Sequence, residues 1–120
     1  MNTRKKILVV DDDKHLLEAM SFMLENEGYL VITNRGNSVI REIMRSKPDV
    51  VLLDVLLSGR DGRDICKKIK EQVGIKATPV ILVSAHPTTK KTYRKYLADA
   101  FLAKPFDNDQ LLTLIHKYIK

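Results

Sequence analysis

Cysteine is almost absent from this 120-residue sequence, tryptophan is missing, and no apolar run is long enough to cross a bilayer. A disulfide needs two cysteines, so the single Cys66 excludes an internal one and suits a reducing compartment. A membrane-spanning helix needs about 20 consecutive apolar residues. The apolar run after the basic N-terminus is cut by three aspartates, unlike that of a signal peptide. We therefore expect a cytoplasmic protein without membrane contact.

Linker-like stretches rich in proline, glycine or serine are also missing, and the whole chain contains only 4 prolines and 5 glycines. A chain of this length is sufficient for a single hydrophobic core. We expect one domain over residues 1–120, with its core in residues 6–119.

Acidic residues are in the minority, because 21 lysines and arginines outnumber 15 aspartates and glutamates and give a net charge of +6. Residues 85–98 contain no acid at all, and four basic residues concentrate there: Lys90, Lys91, Arg94 and Lys95. Such a cluster is compatible with a solvated helix face or with an acidic partner. Direct binding of nucleic acid is not expected, since no DNA-binding motif is recognisable.

Short continuous apolar runs alternate with segments of helical periodicity. The runs predict five strands, at residues 7–10, 29–33, 50–53, 80–83 and 101–103. The helical patterns lie at residues 16–24, 39–44, 65–69, 88–97 and 111–119, and the predicted N-caps are Asp13, Asn37 or Ser38, and Asp107. Uninterrupted apolar strands indicate a sheet that is covered on both faces. We predict an α/β fold with one doubly wound parallel sheet, in the flavodoxin-like order 2-1-3-4-5, flanked by five helices.

Polar side chains follow four of the predicted strands. Asp11 and Asp12 follow the first strand, Asp54 the third, Ser84 the fourth and Lys104 the fifth. Ligands bind such sheets beyond the carboxyl ends of the strands, where the strand order reverses. The first and third strands are neighbours at that point, so the three carboxylates are expected to share one site.

Carboxylates that share a small site repel one another. At about 4 Å and an effective dielectric constant of about 20, each pair costs about 4 kcal/mol. A proton or a cation can offset this, and hard oxygen ligands suit Mg²⁺ best and Mn²⁺ next. A carboxylate can also act as a nucleophile on phosphorus, while Lys104 and Ser84 hold phosphoryl oxygens. The residues therefore predict a site that accepts a phosphoryl group.

Four segments carry a family resemblance: ILVVDDD (7–13), VVLLDVLLSGRDG (50–62), PVILVSA (79–85) and FLAKPF (101–106). In this order and spacing they resemble the receiver domain of bacterial two-component response regulators, of the chemotaxis-regulator kind. The resemblance extends from Lys6 to about Ile119.

The resemblance implies a role for each residue of the site. Asp54 would be the phosphoacceptor, and Asp12, Asp54 and the backbone carbonyl of Leu56 would bind Mg²⁺ directly. Asp11 would act on the metal mainly through water. Ser84 and Lys104 would contact the phosphoryl group. The Lys104–Pro105 peptide bond would be cis.

The resemblance also implies a switch and two kinds of partner. Phosphorylation would draw Ser84 inward, Phe101 would fill the space, and the face formed by the fourth helix, fifth strand and fifth helix would change shape. A histidine kinase or phosphotransfer protein would supply the phosphoryl group, and an output partner, acidic if the basic cluster contacts it, would read the face. Such a domain is not an enzyme beyond catalysing its own phosphorylation and dephosphorylation.

Three positions depart from the family pattern, and so does the region from Ser84 to Lys104, which is slightly short and unusually positive. Ser58 stands in place of a usual proline, so the loop after Asp54 is expected to be looser. Phe101 replaces the commoner tyrosine, so that only packing can carry the switch. Leu97 takes the place of a usual glycine before the fifth strand.

Two other functions remain open. A phosphatase of the haloacid-dehalogenase type would use Asp11 as its nucleophile, with Asp13 completing a D-x-D motif. Against this, Asp13 suits an N-cap, and Asp54 would have no role. A receiver-like module that binds partners without being phosphorylated is the other alternative.

Overall fold

The computed structural model describes residues 4–119, and its centre is a five-stranded parallel sheet. The strands of this sheet are β1 (Lys6–Val10), β2 (Leu30–Asn34), β3 (Val50–Asp54), β6 (Val80–Ser84) and β7 (Ala100–Ala103). Two short strands, β4 (Leu56–Leu57) and β5 (Arg60–Asp61), form a separate pair. Their spatial order is β2-β1-β3-β6-β7, which confirms the predicted order 2-1-3-4-5. Residues 1–3 and 120 of the expected domain lie outside the described residues.

Five α-helices cover the two faces of the sheet. They are α1 (Lys14–Asn26), α2 (Val39–Ser46), α3 (Gly62–Glu71), α4 (Pro87–Thr92) and α5 (Asn108–Tyr118). Helices α1 and α5 share one buried apolar cluster with the sheet, and α2 and α3 share the other. Because both faces are covered, residues 7–10 of β1 and residues 50–53 of β3 are all apolar, as the sequence predicted. Between residues 4 and 119, no helix is long and apolar enough to cross a membrane.

Side chains at the helix starts confirm two of the predicted caps. The Asp13 carboxylate accepts hydrogen bonds from the backbone N–H groups of His15 and Leu16. Asp107 forms a reciprocal capping box with Gln110 at the start of α5. Ser38, one of the two caps predicted for α2, is its N-cap residue, but its side chain makes no capping hydrogen bond. Its backbone is left-handed (φ 51°), whereas a capping side chain normally needs an extended backbone.

The helix predicted over residues 88–97 is shorter and less regular than expected. Helix α4 has six residues and tightens into a 3₁₀ turn over Tyr93–Tyr96. The segment ends at Leu97, which has a left-handed backbone (φ 66°). A thin apolar stripe leaves the end of the helix with little buried surface, and 3₁₀ turns are frequent at such ends.

Candidate functional site

The strand ends bring three carboxylates together. Strands β1 and β3 pair with Val10 opposite Leu53, so the residues that follow them meet at one edge. Asp11, Asp12 and Asp54 each offer a carboxylate oxygen within 4.8 Å of the others. Asp11 and Asp54 are buried, and Asp12 is half-buried. Hard oxygen donors at this spacing fit a divalent cation such as Mg²⁺.

Lys104 supplies the positive charge at this site. Its Nζ lies 3.2 Å from Asp54 Oδ1 and 3.3 Å from Asp11 Oδ2. Burial by itself would lower the pKa of Lys104, but the charges of Asp54 and Asp11 raise it above its ordinary value. Lys104 is therefore a fixed cation beside the two buried carboxylates. Its backbone N–H donates to the Ser84 carbonyl oxygen at 2.9 Å, which holds the end of β7 against β6.

Asp54 has the perturbed carboxyl group of the site. Burial, followed by the charge of Asp11, raises the pKa of Asp54 to about 6, although Lys104 opposes the shift. At neutral pH the carboxylate is mostly ionised and available as a nucleophile. A bound cation would further favour the ionised form, since an opposite charge within a few ångströms lowers the pKa of a carboxyl group.

Asp12 is held by the loop that follows Asp54. The backbone N–H of Ser58 donates to Asp12 Oδ2 at 2.9 Å, and the Ser58 hydroxyl donates to the same oxygen at 2.6 Å. The hydroxyl bond, above all, holds the pKa of Asp12 below its usual range. A proline in place of Ser58 would have neither donor. Ser58 is therefore a residue of the site whose contribution the sequence reasoning missed.

The loop after Asp54 forms a small hairpin, and its expected looseness stays a prediction. Strands β4 (Leu56–Leu57) and β5 (Arg60–Asp61) pair antiparallel, and Gly59 takes a left-handed backbone in the turn between them. Two-residue hairpins favour glycine for this reason. Position Leu56 thus lies on a paired strand with its side chain exposed. The role of its carbonyl as a metal ligand stays a prediction.

Gly62 is a second residue whose contribution to the site the sequence motif does not explain. A Cβ on Gly62 would overlap the backbone carbonyl oxygen of Asp54. The Gly62 N–H also donates to the Val55 carbonyl oxygen at 2.8 Å. The start of α3 therefore packs directly on the chain at the phosphoacceptor candidate, and any side chain at residue 62 would push the two apart.

Ser84 is buried at the end of β6, next to the pairing partner of Asp54, Val83. Its Oγ accepts hydrogen bonds from the His86 backbone N–H at 2.9 Å and from the Thr89 hydroxyl at 3.1 Å. His86 thus touches the site through its backbone, while its ring Nδ1 accepts from the Thr88 N–H. No signal in the sequence pointed to Thr89.

The other residues predicted for the site and switch have the following positions. The Lys104–Pro105 peptide bond is cis. Phe101 is half-buried on β7, and its ring stacks on that of Tyr93 with centroids 6.2 Å apart. Asp13 is exposed and occupied as the cap of α1, outside the group of three carboxylates. The carboxylates that meet at this edge are therefore those of Asp11, Asp12 and Asp54, and not the Asp11 and Asp13 pair that the alternative phosphatase would use.

Comparisons with known proteins agree with the geometry. The family model of the response regulator receiver domain matches residues 7–116. A putative response regulator from Chloroflexus aurantiacus is 28% identical over 97% of this chain and 98% of its own, with a TM-score of 0.90. Chemotaxis protein CheY4 from Vibrio cholerae is 26% identical over 98% of this chain and 100% of its own, with a TM-score of 0.88.

A third likeness is one of fold alone. The receiver domain of a sensor histidine kinase from Pseudomonas aeruginosa, with a magnesium ion coordinated in its active-site cleft, is 24% identical over 97% of this chain and 98% of its own. Its TM-score is 0.87. With the family model covering most of its length, and with the order of its strands as expected, this chain belongs to the response regulator receiver domain family.

Proposed function

We propose that this chain accepts a phosphoryl group on Asp54 in a Mg²⁺-dependent reaction, as the receiver of a two-component phosphorelay. The observation that carries the proposal is the position of Asp54, a buried carboxylate with a lysine Nζ at 3.2 Å and two further carboxylates within 4.8 Å. Phosphoryl transfer demands mainly positioning and charge neutralisation, and these groups provide both.

The chemistry follows from the groups around Asp54. A carboxylate oxygen of Asp54 forms a bond to phosphorus while the bond to the donor group breaks, and the leaving imidazole of a phosphohistidine takes up a proton. Lys104 Nζ and the Ser84 hydroxyl would hold two of the phosphoryl oxygens. Mg²⁺, or Mn²⁺ in its place, would be held by Asp11, Asp12, Asp54 and the Leu56 carbonyl and would neutralise negative charge in the site.

The donor protein is proposed to dock beside Lys104. An apolar groove of about 490 Å³ lies there between α1 and the segment after β7. The groove is lined by Leu16, Ala19, Met20, Met23, Ala85, Lys104, Pro105, Phe106 and Asn108. A histidine kinase or phosphotransfer protein that filled this groove would present its phosphohistidine to Asp54 in the cytoplasm, where Cys66 would remain a thiol.

The output face is proposed to be α4, β7 and α5. Lys90, Lys91, Arg94 and Lys95 are all exposed there, and none of them forms an ion pair within residues 4–119. Uncompensated positive charge favours an acidic partner surface. Reversing these four charges should weaken binding of the output partner and abolish its salt dependence, and unchanged binding would contradict the proposal.

Incubation with acetyl phosphate and Mg²⁺ tests the proposed function. Intact-mass analysis should show one phosphoryl adduct on the wild type and none on Asp54→Asn. Asp13→Asn is the matched control, because it replaces a carboxylate two residues from Asp11 that lies outside the acidic group, and it should still be labelled. A label on Asp11 would indicate the phosphatase, and an unlabelled wild type would indicate the interaction module.

A further inference from the structure

A buried threonine in α4 reaches the phosphoryl site. Thr89 has no exposed surface. The other residues of α4 are exposed or half-buried. A buried hydroxyl group needs a hydrogen-bonding partner. The partner of Thr89 is the Ser84 Oγ at 3.1 Å. The two neighbouring threonines behave differently, since Thr88 bonds to the His86 ring and Thr92 to the Thr88 carbonyl oxygen.

The hydrogen bonds at Ser84 determine where its own proton can point. A serine hydroxyl has two acceptor lone pairs and one donor proton. The His86 N–H and the Thr89 hydroxyl occupy the two lone pairs. The Ser84 proton is therefore free to donate towards the carboxyl ends of the strands. Asp54 is the last residue of the neighbouring strand β3 and lies at the same edge. A donated bond from Thr89 also strengthens Ser84 as a donor, because chains of hydrogen bonds polarise one another.

The same helical face reaches the aromatic pair on β7. Thr89 and Tyr93 are four residues apart, a spacing that places two side chains on one side of a helix. The Tyr93 ring stacks on Phe101 with an interplanar angle of 21°. One short segment therefore contacts the site hydroxyl at one end and the proposed switch aromatic at the other.

We propose that Thr89 is a positioning residue that aims the Ser84 hydroxyl at the phosphoryl group on Asp54 and links it through α4 to Tyr93 and Phe101. The inference rests on the proposed function, since it assigns a new residue to the same site. It adds a hydrogen-bonded route to a switch that otherwise depends only on the space that Ser84 leaves for Phe101.

Initial rates of Asp54 phosphorylation by acetyl phosphate with Mg²⁺ test this inference. Thr89→Val keeps the shape of the side chain and removes the hydroxyl, and it should lower the saturating rate by about threefold to tenfold, the usual worth of one hydrogen bond. The acetyl phosphate concentration at half-saturation should stay unchanged. Thr89→Ser should restore the rate, and Thr92→Val is the matched control that should resemble the wild type.

A double-mutant cycle separates positioning from a general loss of structure. In a Ser84→Ala background, Thr89→Val should have no further effect, because the group through which it acts is gone. A wild-type rate for Thr89→Val, or an equal loss in both backgrounds, would overturn the inference. Thermal melts verify folding, and Thr89→Ala substitutes for the valine variant if that variant does not fold. An unlabelled wild type would instead refute the proposed function itself.

Discussion

Replacing Asp54 by asparagine should make the fold more stable in the absence of divalent cations, although it removes the proposed phosphoacceptor. The pKa of Asp54 is raised from 3.8 to about 6, chiefly by burial and then by the charge of Asp11. Each pKa unit corresponds to about 1.4 kcal/mol, so the ionised carboxylate costs the folded state about 3 kcal/mol at pH 8. Asparagine avoids this cost, which is already net of the attraction to Lys104, but its neutral amide leaves the buried carboxylate of Asp11 as the charged partner of Lys104. We expect a net gain in the free energy of unfolding of about 1–2 kcal/mol.

The gain should depend on pH in a defined direction. A carboxyl group whose pKa is higher in the folded state binds more protons when folded than when unfolded, between about pH 4 and the folded pKa. The free energy of unfolding of the wild type therefore falls as the pH rises through this window. The advantage of Asp54→Asn should be fully present above about pH 7 and should vanish towards about pH 4.

Urea unfolding in EDTA at several pH values between these limits provides the measurement. Glu25→Gln, which neutralises an exposed carboxylate on α1 away from the site, is the control and should change stability little. Added Mg²⁺ should stabilise the wild type more than Asp54→Asn. A ligand stabilises the folded state only to the extent that it binds there, and the variant lacks one of the proposed metal-binding carboxylates. An asparagine variant that is less stable at pH 8, or a gain independent of pH, would refute the reasoning.

Two further predictions concern positions where this chain departs from its family. Ser58→Ala removes the hydroxyl bond to Asp12 and should raise the pKa of Asp12 towards its ordinary value in an NMR titration. Asp61, whose pKa is lowered by Arg63, should not move, and an unchanged Asp12 would contradict the assignment. Leu97→Gly should raise the free energy of unfolding by about 0.5–1 kcal/mol, because it relieves a left-handed backbone at a half-exposed residue. Leu97→Ala shortens the side chain without relieving the backbone, so a gain of equal size there would disprove this explanation.

Short-range patterns predicted the sheet and the location of the site. Each central strand is an uninterrupted apolar run because helices cover both of its faces, and this pattern is readable without coordinates. The parallel arrangement then places every residue that follows a strand at one edge. Asp11, Asp54, Ser84 and Lys104 could therefore be assigned to one site before their distances were known.

Predictions failed where the local backbone is decided by distant contacts. Residue type indicated Ser38 as a possible cap of α2, but no local signal marks its left-handed backbone, in which its side chain makes no capping hydrogen bond. The sequence also did not predict the hairpin after Asp54, in which Ser58 donates to Asp12, 46 residues away in the chain. Residues 88–97 have a helical pattern, but they lack the continuous apolar face that would keep the whole segment a regular α-helix.

The amino-acid sequence by itself determined the order of strands and helices, the edge of the sheet at which the candidate site lies, and the types of group that meet there. Periodicity and residue type carry that information because burial on one or both faces acts on every residue of an element. Only the tertiary structure decided which hydrogen bonds hold those groups, such as Ser58 to Asp12 and Thr89 to Ser84. The hydrogen-bonding partner of a hydroxyl group depends on how helices, strands and loops pack together. The residues next to it in the sequence do not indicate which partner that will be.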